Sequence, residues 1–440
     1  MKDLSSVIES GMCVACGACT AVNPEITLVL DEDKLLYRPS SPGSEQAAAI
    51  CPAIATDFDA LHEFRFPNAE QSEHGVVRSV HLGQSTNADR NLKASSGGLI
   101  KELLIELLES STVDSVIALN HVEGLRYEPE LLQNAADVDD LPGSVYHSIS
   151  FEKVFSLLEQ SEGRVALVAI PCQLEGIFSY IRAYRPELND KISITIGLVC
   201  GWTYTHHSLR ALSTYKGIEA NSIEHISYRG DGPVGKMRVQ TDRRVVSIDR
   251  RSDIHYIAAF DRSFNLPRCH ACTNHVNFLA DIVVGDAWLD RAKPTRTGIS
   301  LIICRSEVGE EVLRSAQSNA RITTLPTSVD DIVESQSANL VFGHFAYSWA
   351  QYLRETGRHA PSLLGPNLGM AKPIDRSQLV AFDSDISGKV ALQRKGRYRE
   401  MLWRKIGFDM FRYGLRFVRK RLRRSRSSQT VREIVPNPFR

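Results

Sequence analysis

Apolar positions along this chain change period several times, and the changes mark out its elements. Residues 76–82, Val-Val-Arg-Ser-Val-His-Leu, alternate as a strand does. Glycines follow at 97 and 98, and Leu99, Ile100, Leu103, Leu104, Leu107 and Leu108 then hold one face at helical spacing. Residues 116–119 read as a short buried strand. The rhythm returns with a strand over 165–170 before a helix over 172–184, and again with a strand over 192–199 before a helix from about Tyr204. Strands alternating with helices predict an α/β class with α+β elements. Residues 223–228 and 237–248 read as antiparallel strands around Gly230-Asp231-Gly232-Pro233, and 281–284 and 300–304 as further buried strands.

The segments between these patterns divide the chain. Residues 1–65 have little periodicity and read as a small ligand-organised module, 75–320 as the α/β domain, 321–390 as a helical extension and 391–440 as a basic amphipathic tail. With 440 residues, 43% hydrophobic and 24% charged, the chain lies in the globular range, which sets aside disordered and fibrous classes. The 52 basic and 52 acidic residues cancel. From Ala391 onward, however, 16 basic residues face 3 acids, so an acidic body carries a basic tail. A general nucleic-acid binder would carry its basic footprint on the folded core, so no nucleic-acid partner is expected. The tail, where basic residues interleave with Trp403, Phe408, Phe411 and Phe417, suits an anionic membrane surface or docking on the acidic body. No run is long and apolar enough to span a bilayer, and polar residues follow Met1, so the expectation is a cytoplasmic protein without a signal peptide, at most peripheral to the membrane.

The cysteines carry the strongest chemistry. Cys13-x2-Cys16-x2-Cys19 followed by Cys51-Pro52 matches the ligand run of a bacterial ferredoxin-type 4Fe-4S cluster, apart from the long insertion before the fourth. Four thiolates also suit tetrahedral zinc, although zinc sites usually pair two Cys-x2-Cys hooks. Cys269-x2-Cys272 is such a hook, open to zinc, a redox dithiol or half a cluster site. Cys172 and Cys200 follow predicted strands at the edge where open α/β sheets bind ligands. These four form a second candidate set, leaving Cys304 as a core thiol. Ser95-Ser96-Gly97-Gly98 opens the helix after the first α/β strand and offers hydroxyls and unhindered amides to an anion such as a pyrophosphate. Taken alone, it fits a plain serine N-cap at a tight turn at least as well.

The order of Cys13-x2-Cys16-x2-Cys19, Ser95-Ser96-Gly97-Gly98, Ser144-x-Tyr146, Pro171-Cys172-Gln173, Gly197-Leu198-Val199-Cys200, and Cys269-x2-Cys272 ahead of residues 280–286 resembles the beta-subunit family of coenzyme F420 (deazaflavin) hydrogenases and dehydrogenases, which includes 7-hydroxymethyl chlorophyll a reductase. The resemblance spans about residues 10–310. It implies a ferredoxin-like iron-sulfur module ahead of an α/β flavin-binding domain, with two 4Fe-4S clusters and FAD. It further implies a first cluster on Cys13, Cys16, Cys19 and Cys51, FAD phosphates on Ser95, Ser96, Gly97 and Gly98, and an inner cluster lined by Cys172, Gln173, Cys200, Cys269 and Cys272. Two features depart from the family pattern: Asn274 stands where an acidic residue is frequent, and the chain beyond about 320 has no counterpart.

Three functions remain open at this level. One is an oxidoreductase linking ferredoxin or another redox protein to a deazaflavin or small organic substrate. The others are an electron-relay subunit without its own turnover and a zinc-stabilised binding protein. Tyr146 and His147 are candidate proton donors, and Asp286, at a strand end, is a candidate flavin contact. Arg229-Gly230-Asp231-Gly232-Pro233 could contact an anionic substrate, but an ordinary hairpin turn is the favoured reading.

Overall fold

The computed structural model describes residues 3–232, 235–292 and 297–408. At its centre are eight strands: β4 (Ser79–Ser85), β5 (Ser115–Glu123), β6 (Arg126–Leu132), β7 (Val165–Ala169), β8 (Ile192–Leu198), β12 (Ile282–Asp286), β13 (Ser300–Cys304) and β14 (Ile322–Thr327). They lie in the order β14-β4-β13-β12-β8-β7-β5-β6. Within this mixed sheet β5, β7, β8 and β12 run parallel, and the remaining neighbours pair antiparallel. Buried on both faces, the parallel strands read as near-continuous Val, Ile, Leu and Ala runs. The expected α/β layering is present.

Smaller sheets surround it. β1 (Leu28–Leu30) and β2 (Tyr37–Pro39) form a hairpin, and β3 (Ala55–Asp57) runs parallel to β15 (Ser362–Leu364). β9 (Ile223–Ser227), β10 (Lys236–Thr241) and β11 (Val245–Asp249) make a three-stranded antiparallel sheet, so the run expected as one strand over 237–248 turns back on itself.

The C-terminal segments are part of the body. Leu4, Val7, Met12 and Ala53 share one core with Phe342, Phe345, Trp349 and Leu363, so the N-terminal module packs on the long helix Asp330–Glu355. Residues 322–327, expected in a helical extension, form the sheet-edge strand β14, where Pro326 is tolerated. The expected tail start at 391 falls inside the helix Arg376–Arg394. Leu392, Tyr398 and Met401 are buried against the three-stranded sheet, and the Tyr398 hydroxyl lies 2.7 Å from Nδ1 of His207. Docking on the body therefore holds the chain to about 401, whereas residues 409–440 lie outside the described residues. Among the described residues no helix is long and apolar enough to cross a membrane.

Candidate electron-transfer site

The outer four thiols are brought together by tight local turns. Cys13 follows the helix Ser5–Ser10, and Cys19 lies in the helix Ala18–Val22. Between them Ala15 (φ 55°) and Gly17 (φ 83°) are left-handed, which curls the backbone around Cys16. The Ala15 amide donates to Cys13 Sγ at 3.3 Å. Gly17 is required by packing as well as by its turn, because a Cβ there would lie 2.4 Å from Cα of Glu152. Cys51 arrives just beyond the helix Glu45–Ala49. Cys13, Cys16, Cys19 and Cys51 line one cavity with Leu4, Val7 and Leu28. Burial, then the Cys51 thiolate, pushes Cys19 up to about 12, and burial raises Cys51 to about 11. Such a set is costly as bare thiolates, a cost that a bound cationic centre would offset.

The inner four thiols converge from the ligand-binding edge of the sheet. Cys172 is the second residue of the helix Pro171–Tyr184, directly after β7. Cys200 lies just past β8, its amide donating to His275 O at 2.9 Å. Cys269 lies within the turn Pro267–Ala271 and Cys272 directly follows it, and Thr203 donates its amide to Cys269 Sγ at 3.4 Å. Burial holds Cys172 far above the usual thiol range, and Cys200, Cys269 and Cys272 all raise it further, which marks them as one set. Cys304 stands apart, fully buried in the core beneath the sheet. Among the described residues no three His, Cys, Asp or Glu side chains are arranged to hold a single metal ion.

One helix links the sets. Gly176, one turn beyond Cys172, lies against Cys16, and a Cβ there would sit 2.4 Å from Cys16 Sγ. Asn274, the departure from the family pattern, donates to Oε1 of the buried Glu175 at 3.0 Å. Burial pushes the Glu175 carboxyl up, opposed by Arg268 and then by its bonds from Asn274 and Thr56, and an acid at 274 would face that carboxyl.

The remaining predicted residues separate into two groups. At the same sheet edge, Arg229 Nη1 lies 2.6 Å from Asp286 Oδ2, with the Arg229 side chain only 6% exposed. Burial opposes the Arg229 charge, but Asp286 and then the Tyr146 phenol outweigh it and hold the guanidinium above its usual range. Trp288, 46% exposed, lies beside this pair with its ring centre 5.8 Å from the guanidinium. Arg250 reaches the Tyr146 ring at 5.7 Å. The Ser144 amide donates to Ser95 Oγ at 3.3 Å, which joins the serine-glycine turn to this group. The reading of Arg229 as a plain turn residue misses this role; nothing near it in the chain reveals an acidic partner 57 residues away.

The other group serves the framework. Gly97 donates its amide to Ser300 Oγ at 2.8 Å, and a Cβ there would lie 2.6 Å from Gly83 O. Ser96 Oγ donates to Ile299 O at 2.9 Å. Gly98 (φ 76°) caps the helix Leu99–Glu109. Gln173 Oε1 accepts from Ile170 N at 3.0 Å and caps its helix. His147, expected as a proton donor, is buried with Nε2 2.8 Å from Leu125 O and Nδ1 2.5 Å from the Tyr228 hydroxyl. Burial, then His206, pushes it down to about 3, so it stays neutral and fully engaged.

Residues 80–156 match the N-terminal model of the coenzyme F420 hydrogenase/dehydrogenase beta subunit, and residues 162–329 match its C-terminal model. The chain is 25% identical over 337 residues to one of the subunits of the F(420)H(2) dehydrogenase of Methanosarcina mazei, covering 73% of this chain and 87% of that one. It is 23% identical over 334 residues to the coenzyme F420-dependent sulfite reductase of Methanocaldococcus jannaschii, covering 71% of this chain but 47% of that protein. The chain thus spans about half the length of that second relative. A chain of the F420-reducing NiFe hydrogenase complex from Methanosarcina barkeri aligns at a TM-score of 0.49 and 20% identity, over 65% of this chain and 94% of that chain. The chain belongs to the coenzyme F420 hydrogenase/dehydrogenase beta-subunit family of oxidoreductase subunits.

Proposed function

We propose that the chain is an iron-sulfur flavoprotein oxidoreductase. It exchanges electrons between a one-electron donor such as ferredoxin and a two-electron acceptor, a deazaflavin or an organic substrate, through two 4Fe-4S clusters and FAD. The observation that carries this reading is the gathering of eight cysteines into two four-thiol sets bridged by one helix, with the inner set on the same sheet edge as the Arg229–Asp286 pair. Bound FAD supplies the exchange between single electrons and hydride, two electrons and one proton for each hydride.

The chain's own groups supply placement and charge. Cys13, Cys16, Cys19 and Cys51 would hold the outer cluster, and Cys172, Cys200, Cys269 and Cys272 the inner one. Arg229, fixed by Asp286, presents a buried cation to an anionic ligand at the sheet edge. The Tyr146 phenol, beside Arg229, is the candidate proton donor at this edge. Trp288 offers an aromatic wall beside them. Ser95, Ser96 and Gly98 frame the neighbouring helix N-terminus, where phosphate oxygens are favoured.

A relay subunit without its own turnover is the second reading, favoured by the naming of the matched relatives as subunits of larger enzymes. Anaerobically purified chain, supplied with reduced ferredoxin and a deazaflavin, separates the two. Deazaflavin turnover by the isolated chain with bound FAD is the expected result. Bound FAD without turnover selects the relay, and absence of flavin removes both.

A further inference from the structure

We propose that the buried Arg268–Glu175 pair is a redox-tuning element set between the two four-thiol sets, its cationic end raising the reduction potential of both clusters and its carboxylate opposing that effect at the inner one. This inference rests on the two-cluster reading above.

The pair is placed where both sets are within reach. The Arg268 side chain is 3% exposed and Glu175 1%, with Nη2 and Oε2 3.6 Å apart. Arg268 Nε donates to the carbonyl of Pro52, the neighbour of Cys51, at 3.2 Å, and Nη1 donates to the carbonyl of Ala271, between Cys269 and Cys272. One guanidinium therefore bridges the fourth outer ligand and the inner hook. Glu175 lies three residues beyond Cys172, and its oxygens accept from Thr56 Oγ1 and Asn274 Nδ2, each at 3.0 Å. The pair is thus a fixed dipole, its positive end between the sets and its negative end toward Cys172. Each cluster gains one negative charge on reduction, so a nearby buried cation favours the reduced state and a carboxylate disfavours it. Arg268 acts through the clusters and is a positioning residue, not a catalytic one.

The test is a potentiometric titration of the reconstituted full chain, with each cluster followed by electron paramagnetic resonance. Arg268→Gln is expected to lower both midpoints, each cluster becoming about tenfold less reduced at fixed potential, ~59 mV for a one-electron couple. Glu175→Gln is expected to raise the inner midpoint and leave the outer one in place. Arg268→Lys should return both midpoints toward the wild type, although lysine cannot reproduce the forked bonds, so a purely structural role would not give this rescue. If Arg268→Gln fails to load its clusters, Glu175→Gln decides alone, and an unmoved inner midpoint overturns the proposal. Unchanged midpoints in both variants, or a shift of only one cluster in Arg268→Gln, also overturn it. Iron well below about eight per wild-type chain would instead remove the two-cluster reading on which it stands.

Discussion

The outer and inner cysteine sets meet within about one turn of the same helix, through Gly176 against Cys16 and Cys172 at the helix start, yet they are built differently. Three of the outer thiols come from seven consecutive residues, curled by Ala15 and Gly17 in the left-handed region. The inner four come from the ends of β7 and β8 and from a turn about 70 residues later, and they meet only when the parallel sheet is in register. The outer site is therefore a property of a loop and the inner site a property of the fold. Arg229 and Asp286, which we propose face the flavin, belong with the inner site, because they too depend on the sheet edge.

The sharpest way to separate the two constructions is Arg229→Ala. Removing one partner of a buried ion pair costs about 3 kcal/mol and leaves Asp286 without its cation. Loss of bound flavin and a lower unfolding midpoint are expected, with the outer iron retained. Full flavin retention would move the flavin off this sheet edge. Gly97→Val is a poorer probe, since its side chain would strike Gly83 O and the Ser300 amide whether or not a phosphate binds.

Gly176→Ala tests the joint between the sets. Its methyl would overlap Cys16 Sγ, an overpacking cost of about 1–3 kcal/mol. Iron analysis should show depletion of the outer site before the inner one. Equal retention at both sites would mean that the helix does not brace Cys16.

The smallest effect is expected at histidines that neither set uses. Burial, then His206, lowers His147 to about 3, and burial lowers His206 to about 4. Their unfolded values are ~6.5, so between pH ~6.5 and 4 the unfolded chain binds more protons than the folded one. Stability is full above that window and falls as the pH drops through it, by about 1.4 kcal/mol per pH unit for each fully engaged histidine. His147→Gln should flatten the slope in thermal unfolding by about one histidine and leave iron and flavin content unchanged. Normal cofactor content with abolished turnover would return His147 to the chemistry.

The same contrast explains what could be read in advance. Cys13-x2-Cys16-x2-Cys19 is legible because the whole geometry is local. Cys172 and Cys200 are legible one step further out, as residues at strand ends, because apolar runs mark β7 and β8. Arg229 is opaque because its acidic partner lies 57 positions away, and Glu175 and Arg268 because they pair across 93 positions. β14 is hidden by Pro326 and by an exposed edge with Leu325 66% accessible, a pattern without clean alternation. Leu392, Tyr398 and Met401 are masked by the basic residues around them, although they are buried in the body.

The most direct measurement of the central claim is iron and acid-labile sulfide per chain after full anaerobic reconstitution, on the wild type and on Cys16→Ser. About eight iron and eight sulfide are predicted for the wild type, falling to about four in Cys16→Ser with bound flavin unchanged. About four iron in both proteins would remove the outer cluster, and zinc in place of iron and sulfide would contradict the account altogether.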